Sequence, residues 1–96
     1  MKILAVERAL PGATARDFQR NGNAEARRAW QLCQEGIFRE LYFRQDQPSA
    51  VLVLECADVE QAEEVLKTLP LVQAGLIAFD LIPLRAYPGF ERLFYD

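Results

Sequence analysis

Residues 36–56 read GIFRELYFRQDQPSAVLVLEC, and the fold turns on how that stretch is parsed. Before Gly36, apolar residues recur at threes and fours. After it they alternate. Ile37, Leu41 and Phe43 share one parity; Phe38, Glu40, Tyr42 and Arg44 share the other. This predicts a strand over 37–45 with one apolar and one mixed face. Asp46-Gln47-Pro48-Ser49 is a loop of hairpin length. Val51-Leu52-Val53-Leu54 is continuously apolar and predicts a strand over 50–56 covered on both faces. Arg39 breaks the apolar parity, and a bulge there would reverse the register in that half of the strand.

Working outward, Ile3 to Leu10 is a short apolar run closed by Pro11-Gly12, which predicts a first strand. Thr14 is placed to cap a helix that runs to Glu35 and stops at Gly36. Asn21-Gly22-Asn23 interrupts it, leaving two helices or one kinked helix open. Ala26, Ala29, Trp30, Cys33 and Ile37 form its apolar stripe, with Glu25 among the polar positions. Asp58 caps a second helix with the stripe Val59, Ala62, Val65, Leu66 and Leu69, ended by Pro70. Residues 76–84 predict a fourth strand, and Pro83 suits an edge or a bulge. The tail from Ala86 to Tyr95 is rich in aromatic residues.

The order β-α-β-β-α-β is the ferredoxin-like arrangement, an α+β fold over a single domain, residues 1–96. Both helices fall on one face of a four-stranded antiparallel sheet. The other face is too apolar to stay wet, and only the tail or a second copy is left to cover it. Two such sheets face to face make a dimeric α+β barrel, with the tail as a clasp, so a homodimer is the expected partner state.

Composition narrows the chemistry. There are 14 acidic and 11 basic residues, a net charge of -3, which argues against a nucleic-acid partner. There is no histidine, so histidine bases and histidine-ligated metals are excluded. Two cysteines without histidine give no metal-ligand spacing and no disulfide framework. No metal and no cofactor is expected. No run reaches the roughly 18 apolar residues of a membrane span, and the N-terminus has no signal-peptide pattern, which reads as a cytoplasmic, reduced setting without a membrane partner.

Three stretches carry a family resemblance. Gln34 to Tyr42 resembles the helix-to-strand junction of muconolactone isomerases, Leu66 to Leu71 their second helix end, and Ile82 to Pro88 their last strand. The pattern carries without a gap from about Glu25 to Leu71. The resemblance implies a dimeric α+β barrel, with some members building larger rings of dimers. It implies a proton shift on a small anionic organic molecule, an unsaturated lactone in those isomerases. Glu25 falls on the family's acidic position in the first helix. Ala26 stands where the family has a lysine, with Arg27 and Arg28 beside it, and Glu40 stands where it has a histidine.

The expected catalytic groups are Glu40 and Glu25. Glu40, Tyr42 and Arg44 share a parity; facing a barrel interior, they would supply a carboxylate, a phenol and a guanidinium to one wall. Arg44 or Arg39 would hold the anion. Asp80, inside the fourth strand, needs a partner or a wet cavity. Trp30 is placed to cover a ligand or pack in the core. A non-catalytic metabolite-binding or assembly protein of the same fold is the alternative, and a cofactor-free monooxygenase a third reading. The contents of the interior separate them.

Overall fold

The computed structural model describes residues 1–95. Its elements are β1 (Lys2–Ala9), α1 (Ala15–Gln34), β2 (Phe38–Phe43), β3 (Ala50–Glu55), α2 (Val59–Leu66), α3 (Pro70–Gln73), β4 (Ile77–Pro83) and a 3-10 turn, Gly89–Leu93. The sheet order is β2-β3-β1-β4 with every pairing antiparallel, the ferredoxin-like topology.

Helix α1 is continuous through Asn21-Gly22-Asn23. Asn21 Nδ2 donates to the Asp17 carbonyl at 2.8 Å, so the polar triplet is absorbed within the helix. At its start Thr14 and Asp17 form a reciprocal capping box. At its end Gly36 sits at φ 78°, a left-handed conformation that favours glycine. Helix α2 ends at Leu66 rather than at Pro70. Pro70 instead opens α3, because a first-turn residue needs no amide hydrogen and proline's fixed φ already suits a helix.

The alternation of β1 settles which face is which. Ile3, Ala5 and Glu7 are buried under the helices, while Leu4, Val6 and Arg8 lie on the opposite face. The register extends both sets across the sheet. Leu52, Leu54, Leu41, Phe43, Phe79 and Leu81 share the helix face; Val51, Val53, Glu40, Tyr42, Asp80 and Ile82 share the helix-free face. In β2 the register shifts between Phe38 and Glu40, a bulge at Arg39. It keeps Phe38 buried opposite Leu54 while returning Leu41 and Phe43 to the same face.

The core lies between that face and the helices. Ile3, Leu32, Leu54, Leu69 and Ile77 are fully buried, each stabilising the fold by about 1.5–3 kcal/mol through burial alone. Ala29, Cys33 and Ile37 of the stripe expected for α1 pack against the core, and the stripe departs from expectation at Leu32 and Trp30. Leu32 is its fully buried residue, whereas Trp30 is 64% exposed. No helix among the described residues is long and apolar enough to cross a membrane.

Candidate active site

Between α1 and the sheet lies a half-enclosed cavity of about 480 Å³. Its walls are apolar: Phe18, Ala26 and Ala29 from α1, Phe38, Leu41 and Phe43 from β2, Leu52 from β3, Leu69, Leu71 and Phe79 beyond. Three lining residues carry a titratable group, Glu7, Glu25 and Tyr42, and all three are acids.

Glu7 comes from the end of β1. The β1–β3 pairing closes at Val6 and Val51, and one step further Glu7 reaches across, its Oε1 accepting from the Ala50 amide at 3.3 Å. Its side chain follows Ile3 and Ala5 into the interior, and only 8% of the residue is exposed. Glu25 comes from α1. Its Oε1 accepts from the Leu71 amide at 2.9 Å, one of the first-turn donors that α3 cannot satisfy by itself. Each carboxylate is therefore anchored through one oxygen by a backbone amide. Among the described residues neither second oxygen has a protein donor, and neither is sealed away. Both are available to a ligand.

Burial pushes the Glu7 carboxyl above the ordinary carboxylate range; the Ala50 amide opposes the shift and the charge of Glu25 adds to it. Burial likewise raises Glu25, partly offset by the Leu71 amide. A carboxyl group raised by burial holds its proton more readily than a solvated one, which suits it to acid–base work.

Of the residues singled out from sequence, Glu25 borders this cavity from α1, and Tyr42 borders it along the edge strand β2 with its phenol turned to the other face. Glu40 lies on the helix-free face and accepts from the Tyr42 hydroxyl at 2.6 Å, which holds the Tyr42 phenol above its usual range. Arg44 is engaged by Asp46 through Nε at 2.9 Å and Nη2 at 2.6 Å. Arg39 sits at the bulge and donates to the Gly36 carbonyl. Asp80 accepts from Arg8 Nε at 3.1 Å on the helix-free face. Trp30 is largely exposed. The structure thus joins Glu40 to Tyr42, and sets Glu25 apart from Arg44, Arg39, Asp80 and Trp30.

Glu7 was not a sequence candidate. Its signal was its parity with Ile3 and Ala5, which places a carboxylate on the buried side of β1. Among the described residues no three histidine, cysteine, aspartate or glutamate side chains gather as a metal cluster. Cys33 and Cys56 are both unpaired thiols, half-buried and buried.

The chain is a ferredoxin-like α+β domain with two carboxyl groups on the lining of an apolar cavity. The family model for muconolactone delta-isomerase matches residues 5–89. The chain belongs to the muconolactone delta-isomerase family. Among solved structures it is similar to 5-chloro-2-hydroxyhydroquinone dehydrochlorinase from Burkholderia phenoliruptrix, determined in complex with 2,5-dihydroxybenzoquinone. The TM-score is 0.68 at 16% identity, over 93% of this chain and 98% of that one, which establishes the shared fold. No curated protein matches the chain.

Proposed function

We propose that the chain moves a proton on a small organic molecule bound in the α1–sheet cavity, as an isomerase or lyase, with Glu25 and Glu7 as its acid–base pair. The observation that carries this is the pair itself: two carboxyl groups raised by burial, each fixed by one amide and each presenting a second oxygen. An isomerase takes a proton from one carbon and returns one to another, and a dehydrochlorinase also begins by removing a proton. The family and the structural neighbour therefore both support an acid–base reading. No step needs a cofactor. The experiment is deuterium exchange into α-angelica lactone, an unsaturated five-membered lactone, followed by NMR in heavy water. Catalysed exchange above the buffer rate is the expected result. Exchange at the buffer rate, with this lactone and with muconolactone, would reject the reading.

The working unit in this proposal is a homodimer joined through the helix-free face, with larger rings of dimers as a further level. Leu4, Val6, Val51, Val53 and Ile82 are on that face, and Ile82 is 46% exposed. The tail adds Tyr87, Phe90, Leu93, Phe94 and Tyr95, each exposed by two-thirds or more. An apolar surface of this extent supports association with a second copy. Glu40 and Tyr42 would then lie inside the barrel, where a second polar site could act on the same ligand class. Sedimentation at micromolar concentration should give a dimer or larger, and removal of residues 87–96 should shift it toward the single chain. A single-chain species for the intact protein would reject the dimer.

A further inference from the structure

On the strength of the proposed proton-transfer site, we infer that its ligand carries no carboxylate: the cavity takes a flat ring bearing hydroxyl groups and discriminates against carboxylates of the same shape. The resemblance to muconolactone isomerases implied an anion instead, and the geometry gives an anion nothing to bind. Every titratable group on the walls is an acid, and no lysine or arginine lines the cavity among the described residues. Arginines of α1, of β2 and of the loop after it hold other partners. Arg44 pairs with Asp46, Arg39 donates to the Gly36 carbonyl, and Arg28 donates to Thr68 and Gln31. A carboxylate entering here would lose its hydration against apolar walls and meet two like-charged neighbours, with no cation to offset either cost.

A hydroxylated ring without a carboxylate meets the opposite conditions. Phe18, Phe38, Phe43 and Phe79 offer ring faces and edges. The second oxygens of Glu7 and Glu25 have no protein donor and are not sealed, so ligand hydroxyl groups can donate to them. The volume, about 480 Å³, suits a ligand of one ring with substituents.

The test is calorimetric binding at neutral pH of two probes of one shape: 2,3-dihydroxybenzamide and 2,3-dihydroxybenzoate. The amide should bind at least about tenfold more tightly than the benzoate. In the double variant Glu7→Gln, Glu25→Gln the gap between amide and benzoate should shrink to about threefold or less, since the like charges are gone. Benzoate bound as tightly as the amide, an unchanged gap in the double variant, or no binding of either probe would each overturn the inference. The wild-type ranking requires neither turnover nor a variant that folds. A chain that prefers the amide yet exchanges no lactone proton keeps this inference and loses the acid–base reading; one that exchanges protons but prefers the benzoate does the reverse.

Discussion

The two faces of the sheet carry carboxylates in opposite circumstances. On the helix side, Glu7 is buried and Glu25 half-buried, each anchored by one backbone amide, and both are raised above the ordinary range. On the helix-free face, Glu40 accepts from a phenol and Asp80 from a guanidinium, both in the open. Glu55, at the end of that face, is held below its ordinary range by the N-terminal ammonium, 2.5 Å away. A carboxylate with a solvated side-chain partner has its acceptor capacity met. One buried with only an amide for company retains unmet acceptor capacity and a higher proton affinity.

Three measurements can break or sharpen this contrast. The largest expected effect is catalytic. Glu25→Gln should lower lactone proton exchange by about 10²–10⁴-fold, the usual contribution of a positioned acid or base. Glu40→Gln should change it by less than about tenfold, since Glu40 is across the sheet from the cavity. If Glu40→Gln is the more damaging, the reacting groups lie inside the barrel formed with a second copy.

Next is packing. Leu54→Ala, at a fully buried position on the helix face, should cost about 2–5 kcal/mol in chemical denaturation. Val53→Ala, its neighbour on the other face, should cost about 1 kcal/mol or less in the isolated chain. A Val53 cost equal to that of Leu54 would mean the helix-free face is as dry as the core, which only a covering partner can arrange.

The smallest effect is the pH dependence of stability. Glu7 and Glu25 titrate above their ordinary value of 4.5 in the folded chain, so between 4.5 and the raised values the folded state holds more protons than the unfolded one. Their contribution to stability therefore falls as pH rises through that window and is regained on acidification. The melting temperature should gain a modest contribution as pH falls toward 4.5, and lose that contribution in Glu7→Gln or Glu25→Gln. Asp17 works in the opposite sense. Its capping-box bonds to Thr14 hold it below 3.8, so its contribution exists above that value and is lost as pH falls through the lowered one. A wild-type profile that matches those of Glu7→Gln and Glu25→Gln from neutral pH down to 4.5 would show that the cavity carboxylates are not raised.

The order of strands and helices was legible because local signals mark it. The change from helical spacing to alternation at Gly36, the capping pair Thr14 and Asp17, and the apolar run Val51 to Leu54 each act within a few residues. The alternation of β2 likewise separated Leu41 and Phe43 from Glu40 and Tyr42, with Arg39 marking the bulge. Those features depend on period, capping chemistry and backbone conformation, all encoded nearby in the chain. The site was legible only in part. Glu25 was reached through a family pattern, since its polarity assigned it to the wet side of α1, and that same rule turned the stripe toward Trp30 and away from Leu32. Glu7 read as a charge interrupting an apolar run. Tertiary structure alone brought the two together, by laying α1 across the end of β1 and supplying the amides of Ala50 and Leu71 from distant segments. The physical reason is that amphipathic patterning assumes polar groups face water, and a working carboxylate is held where that assumption fails.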